Sequence, residues 1–513
     1  MVTCVTTPVK AVSEQFQRRY LLKKMCSFPA MLVVLLATVV FLVLQKTIAD
    51  PDICWHLRNA EVFFHTHSFL RQDLYSFTTR GKPWVDSEWL AEIPFYLGQR
   101  WFGPHGVFAV ELVAIETVLL GIFGLGHLQS KNVKASFVVA FLAIFLADVS
   151  FGPRTLLFGW ICLVVELAIL YRFEMGLKQG QGNATSFDFT AWLPLLFLFW
   201  VNLHGSWMIG LVLLVLFVGC GWVEGTWGLI AAKRWPKPQR RKLLWVSGLS
   251  VLALFCNPYG WRLPAYPFDM AFRQKLNIAN VAEWRSVDFH SPRGKIVLAV
   301  MAGTILLQLF RRRKWMLHEI AFLLLGFYAA LTYSRFLFLA AILILPLLAK
   351  DLAEWMPYHA EREKPWLNLP IMAGLAATIV CLFPTNRRLT SAWSKEYPQE
   401  ALGALQRFHP NGNVFTQYEW GGYLIWNVRQ APVFVDSRVD IFEHNGVLAD
   451  YLNAVQLKDT YRIFDKYSIR YVLFQKDAPL SYLLRNTPGW RIDYQDKTAV
   501  LFEKTAVLVK ETK

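Results

Sequence analysis

Long apolar runs separated by short polar loops dominate the chain up to about residue 384. A helix needs roughly 20 apolar residues to cross a hydrocarbon core. Candidate runs fall near 29–45, 95–128, 135–149, 155–172, 189–203, 206–227, 243–256, 296–310, 318–333, 335–350 and 368–384. The pattern predicts a polytopic α-helical membrane protein with about eleven transmembrane helices. Several of the runs are short, and 95–128 is long enough to bend. From residue 385 the pattern changes. Strand-like runs at Gly412–Phe415, Ala431–Asp436, Arg470–Phe474 and Ala499–Phe502 alternate with helical stretches at Gln399–Phe408 and Gly446–Leu457. That alternation predicts a soluble α/β domain over 385–513.

Composition agrees with a membrane protein, since 55% of residues are hydrophobic and only 18% charged, against about a quarter charged in soluble domains. The net charge of +16 raises nucleic acid as a partner, but its placement excludes that reading. The basic residues sit in every second loop: Arg18, Arg19, Lys23 and Lys24, then Lys131 and Lys134, Arg172 and Lys178, Lys233 through Lys242, Arg311 through Lys314, and Lys350 with Arg362 and Lys364. This is the positive-inside signature rather than a binding stripe. It predicts that the basic segment 1–28 is cytoplasmic and precedes an uncleaved first span, because no small-residue cleavage site follows. The first loop, 46–94, and the C-terminal domain then lie on the outer side. The seven cysteines stand singly, with no CxxC spacing, which argues against a zinc site or a disulfide framework.

Candidate chemistry concentrates in that first loop. It opens with Asp50-Pro51-Asp52 and Trp55-His56, and closes with Trp84-Val85-Asp86-Ser87-Glu88-Trp89. Carboxylates beside a membrane span are costly to keep there and point to a functional site. The plainer reading makes the tryptophans interfacial anchors and the aspartates, Asp86 among them, helix caps. Polar residues recur at the outer ends of later spans: Asp148 and Arg154, Asn202 and His204, Arg262, Glu283-Trp284-Arg285, and Tyr333-Ser334-Arg335. His204 or Arg262 alone reads as a cap or a snorkelling anchor. Arg335, in a tight turn between two apolar runs, needs an anionic partner, for which a lipid phosphate and an acidic side chain serve equally. Asp50, Asp52 and Glu283 offer the hard oxygens that Mg²⁺ or Mn²⁺ prefers. His56 reads as packed and hydrogen-bonded rather than as a ligand. In the tail, Tyr418 through Trp426 reads as a strand broken by Gly421-Gly422, and Asp436-Ser437-Arg438-Val439-Asp440 as a salt-bridged loop facing water.

The Asp-Pro pair after the first span resembles the opening of the first outer loop in membrane glycosyltransferases of the GT-C fold, above all the oligosaccharyltransferase catalytic subunits. Gln417-Tyr418-Glu419-Trp420-Gly421 is similar to a relaxed form of their Trp-Trp-Asp-Tyr-Gly acceptor motif, without its double tryptophan. Over most of its length the chain resembles a bacterial family of GT-C-like proteins sharing an Asp-x-Asp…Trp-His-Leu opening, a Pro-Trp-Val…Glu-Trp-Leu segment and a Trp-Gly-Gly-Tyr-Leu tail. The resemblance implies inverting transfer of a sugar from a polyprenyl-phosphate donor to a glycan, lipid or protein acceptor, at the outer face of a bacterial inner membrane. Asp52 or Asp50 is the implied general base, and Arg335 and Arg154 bind the donor phosphate. Glu88, Trp89, His56, Glu283 and His204 line the substrate cleft, and Tyr418, Glu419 and Trp420 meet the acceptor. The resemblance leaves both a metal-bound site (Asp50, Asp52, Glu283 with Mg²⁺ or Mn²⁺) and a metal-free one open, since aminoarabinose and mannosyl transferases manage without a catalytic metal.

Two other classes fit the same residues. A transporter or flippase of lipid-linked sugars would use the acids and arginines to line a path, and a scaffold would keep only the fold. Geometry separates them. Convergence of Asp50, Asp52, Glu283 and Arg335 on one outer cleft favours transfer, scatter favours a scaffold, and a polar channel through to the basic face favours transport.

Overall fold

A computed structural model describes residues 23–44, 46–178, 189–311, 313–359, 363–408, 412–429 and 432–505. Arg18, Arg19, Arg312 and Arg362, with the rest of residues 1–22, lie outside these segments. Every apolar run contains a helix. In chain order the helices are α1 (Phe28–Val43), α2 (Ile53–Thr66), α3 (Trp89–Phe102), α4 (Pro104–Ser130), α5 (Val133–Ala147), α6 (Leu156–Lys178), α7 (Leu193–Leu203), α8 (Trp207–Cys220) and α9 (Lys237–Ala253). They continue with α10 (Arg262–Arg273), α11 (Lys275–Asn280), α12 (Pro292–Arg311), α13 (Leu317–Thr332), α14 (Leu337–Ala353) and α15 (Pro365–Cys381). Among the described residues, four segments suffice by length and composition to cross a membrane: Pro104–Ser130, Val133–Ser150, Leu156–Leu177 and Ser334–Ala353. Five shorter apolar helices accompany them, among them α1, α8, α13 and α15.

Two of the expected spans are divided. The run at 95–128 is two helices, α3 and α4, because Gly103 takes φ +61° and Pro104 starts the next helix. Glycine tolerates that left-handed backbone, and proline suits a first helical turn. The run at 206–227 ends at Cys220. Beyond it, β1 (Gly225–Trp227) and β2 (Ile230–Ala232) form a hairpin that also pairs with β3 (Trp315–Met316). At the centre of the bundle is α14, with every residue from Leu337 to Ala349 buried. A helix apolar all round belongs inside other helices.

The bundle has two unlike ends. At one, Asn132 and Lys134 bond carbonyls of 353–357, β2 joins β3 beside Arg313, and Phe28 N–H reaches Glu363. All the basic loops that the structure describes at these positions therefore meet on one side. The first loop, Arg154, Arg335 and the tail meet on the other.

The tail carries a four-stranded mixed sheet, ordered β4 (Asn413–Thr416), β5 (Ile469–Gln475), β7 (Ala499–Lys504) and β6 (Trp490–Gln495). β4 and β5 run parallel and the other pairs antiparallel. The expected strand at Ala431–Asp436 is absent among the described residues 432–436. That stretch is instead laid against the first loop, where Phe77 N–H donates to Val433 O at 3.1 Å and Thr78 Oγ1 to Phe434 O at 2.7 Å. β6 escaped the sequence reading because its pattern is half exposed and charged. One apolar core runs through both regions: Phe41, Ile53, Leu57 and Phe95 cluster with Phe415, Val435 and Leu473. The tail therefore buries its apolar face on the first loop.

Candidate active site

The chain leaves α1 and turns at Asp50-Pro51 into α2. Asp52 stands at the cap position of α2, yet its side chain makes no cap bond. Trp55 Nε1 instead donates to Asp52 Oδ1 at 3.3 Å and to Ser437 Oγ at 3.0 Å. Asp50 accepts the Asp52 backbone N–H at 2.9 Å with one oxygen and Arg154 Nε at 3.0 Å with the other. Arg154 also donates to Glu283. The turn after α13 brings Arg335 alongside, its guanidinium 4.2 Å from the centre of the Trp284 ring. Ser334 fixes that turn by donating its backbone N–H to Arg285 O at 2.9 Å and its hydroxyl to Glu283 O at 3.1 Å. Five charged side chains from four distant stretches of sequence are thus held together.

They line a cavity of about 640 Å³ shared by the first loop, the 266–284 segment, Arg154, Arg335 and the tail. Glu88 accepts from Thr155 Oγ1 at 2.5 Å and lies 3.2 Å from His204 Nε2. His204 Nδ1 accepts the Ser206 backbone N–H at 2.9 Å, so the ring's proton sits on Nε2 and points to Glu88. Behind this layer, His56 Nδ1 is 2.8 Å from Glu92, and Asn59 donates to Asp86 at 3.3 Å and to Glu92 at 3.0 Å.

Of the expected cleft residues, Asp50, Asp52, Glu88, His56, Glu283, Arg154 and Arg335 line the cavity, with Tyr418 and Glu419. Trp89, His204 and Trp420 do not. Trp89 Nε1 donates to Asn202 Oδ1 at 2.9 Å, and His204 stands behind Glu88. Trp420 is 1% exposed and donates to Glu396 O at 2.8 Å, which makes it a packing residue. The glycines beside it begin a helix, Gly421–Asn427, and do not break a strand. A Cβ on Gly422 would lie 2.5 Å from Pro51 O and 3.1 Å from Trp55 Cδ1. The motif is therefore the seat of the Asp50–Asp52 turn.

The 436–440 loop, expected to face water, is buried against the first loop. Arg438, 2% exposed, is 2.8 Å from Asp73 and 2.6 Å from Asp436, with Tyr75 and Trp84 rings both 4.9 Å from its guanidinium. Ser437, Arg438 and Asp440 join the cavity wall, and Trp84 Nε1 donates to Asp440 at 3.1 Å. Asp86 is not the cap of α3: that position is Glu88, whose side chain makes no capping bond. The sequence reading missed Tyr266, Ser437, Arg438, Asp440 and Tyr451, whose neighbours lie far away along the chain.

Burial sets the protonation of the site. Asp52 is pushed up to about 7, first by loss of water and then by the charge of Asp50, with Ser437 and Arg154 acting against them. Burial likewise lifts Glu88 and Asp86 to about 7 and Asp440 to about 6. Burial lowers His56 and His204 to about 3, with the Arg335 charge adding to the effect on His204, which keeps both imidazoles neutral. At neutral pH the cavity therefore holds a carboxylate poised to exchange a proton, beside two permanently charged guanidinium groups. Among the described residues no group of three or more His, Cys, Asp or Glu side chains is placed to hold a metal ion.

This architecture is a GT-C-like fold, similar to that of solved membrane glycosyltransferases. The oligosaccharyltransferase of Archaeoglobus fulgidus in its apo form superposes with a TM-score of 0.50 at 11% identity, over 94% of this chain and 75% of that one. The same organism's AglB, in complex with an inhibitory peptide and a dolichol-phosphate, gives 0.51 at 12% identity over 86% and 69%. ArnT from Cupriavidus metallidurans in the apo state gives 0.50 at 15% identity over 93% and 98%. At these identities the likeness is one of fold. No family model and no curated protein matches the chain by sequence.

Proposed function

We propose that the protein is an inverting glycosyltransferase that moves a sugar from a polyprenyl-phosphate donor to an acceptor at the outer face of a bacterial inner membrane. The observation that carries this reading is the meeting of Asp52 with Arg154 and Arg335 in one cavity after the first span. Asp52, held near neutrality, takes the proton from an acceptor hydroxyl. The acceptor oxygen bonds to the anomeric carbon as the bond from that carbon to the donor phosphate breaks. One displacement inverts the anomeric centre. The freed phosphate gains negative charge, which Arg335 and Arg154 offset, and such preorganised cations are usually the largest single contribution to rate. The dolichol-phosphate bound by AglB supports a lipid-phosphate donor by analogy of fold.

The cavity wall is drawn from the first loop, the 266–284 segment, Arg154, Arg335 and the tail, with no member from the basic end, which favours transfer over transport. The gathering of basic loops at one end of the bundle supports a cytoplasmic amino terminus and an outer C-terminal domain. Tyr418, Glu419, Ser437 and Asp440 face the donor from the tail and form the acceptor side. The test is glycan transfer in membranes carrying wild type, Asp52→Asn and Asp50→Asn. Loss of transfer with accumulation of lipid-linked donor is expected for Asp52→Asn. Unchanged glycans in both variants, with normal membrane insertion, would sink the proposal.

A further inference from the structure

Asp50, Asp52 and Glu283 are the three oxygen donors that a divalent cation would choose in this cavity, and their residue types suit Mg²⁺ or Mn²⁺. Their arrangement does not. Asp50 Oδ2 receives Arg154 Nε at 3.0 Å and Glu283 receives the far side of the same guanidinium. The two carboxylates that lie farthest apart in sequence are thus bridged by one planar cation, in the place where a metal would bridge them. Arginine stays charged at every accessible pH and its fork matches carboxylates.

Charge balance argues the same way. Arg154 and Arg335 together offset Asp50 and Glu283, and Asp52 shares the cavity with both arginines. A divalent ion entering this set would meet the Arg154 guanidinium directly and share the cavity with that of Arg335. Like charges brought together in a partly desolvated cavity repel far more strongly than they do in water.

We infer that Arg154 is the site's built-in cation: its guanidinium occupies the position between Asp50 and Glu283 and shuts divalent metal out. Arg154 then also fixes the Asp50–Asp52 turn through Asp50, beside its part in offsetting the phosphate, and the acid set is a latent metal site that opens when the guanidinium is removed. The inference rests on the proposed transferase reading only for its functional meaning, because occupancy of the site is measured without any transfer assay.

The experiment is Mn²⁺ binding to the purified full-length protein in detergent, followed by loss of the free-ion paramagnetic resonance signal. Wild type is expected to leave the signal of added Mn²⁺ unchanged. Arg154→Ala is expected to bind one Mn²⁺ about tenfold or more tighter than wild type. Arg154→Ala with Glu283→Gln should lose that gain. Wild-type binding of Mn²⁺ that Asp50→Asn abolishes overturns the inference, and it does so whether or not the Arg154 variants fold. A folded Arg154→Ala that gains no affinity overturns it as well. In membranes, chelation by EDTA should leave wild-type transfer unchanged while Mn²⁺ partly restores transfer to Arg154→Ala. If no transfer is found in any membrane but the Mn²⁺ pattern holds, the transferase reading falls and the built-in cation stands.

Discussion

Two arginines in this molecule each sit between two carboxylates, and they do opposite things. Arg438 lies between Asp73 and Asp436, with its side chain 1% exposed and aromatic rings beside it. Arg154 lies between Asp50 and Glu283, with its side chain 28% exposed and on the cavity wall. The pairing chemistry is the same, and surroundings separate the roles. A fully enclosed pair fixes how the tail meets the first loop. A pair open to a cavity leaves its charge available to a ligand.

The sharpest way to break this contrast is to remove each cation. Arg438→Met strands two buried carboxylates, and breaking a buried pair from one side costs about 3–5 kcal/mol. Chemical denaturation in detergent should show that loss. Arg154→Ala should cost less, about 1–3 kcal/mol of stability, because Glu283 is partly exposed and only Asp50 is left buried without its partner. It should nonetheless lower transfer by roughly 10²–10³-fold, the usual effect of deleting one preorganised charge-stabilising group. A large stability loss for Arg154→Ala, or a mild one for Arg438→Met, would erase the distinction.

Next in size is the contact between the halves. Gly422→Ala pushes a methyl into Pro51 O and should cost about 1–3 kcal/mol, as overpacking does. Because Pro51 separates the two acids, transfer should fall in the same variant, and a control at Gly403, where an added Cβ meets nothing within 4 Å, should lower neither. The smallest effect is on pH. Only ionised Asp52 accepts a proton, so transfer should rise as pH is raised through about 7. Arg154 lowers the Asp52 pKa, so its removal should move that inflection upward. A conservative change at Arg438, which neutralises Asp73 and Asp436 instead, should leave the inflection in place.

Hydropathy alone located all the apolar helices, because a 20-residue apolar run has few other uses. The acids of the first loop were legible for a related reason: they stand where charge is expensive. The break at Gly103-Pro104 was written in residue types that end and start helices. Other features were beyond reading. Asp436-Ser437-Arg438 has the composition of a solvated loop, and what buries it is Asp73, far earlier in the chain. Trp420 carried the look of a ligand contact, but its neighbours Gly421 and Gly422 are small because another segment's backbone crosses them. Burial created by distant segments leaves no local pattern.

The seat that Gly422 makes for Pro51 also has a meaning in time. A ribosome delivers Asp50 and Asp52 to the membrane early, and Arg154 and Arg335 follow with the bundle. Ser437 and Asp440 arrive only after the last apolar helix has been made, and chains fold from their first segments onward during synthesis. Until then the two acids stand at a membrane face with one wall of their cavity missing. On the proposed reading, the nascent chain carries its two acids for most of its synthesis in a form that cannot enclose a substrate, and the tail arms them last.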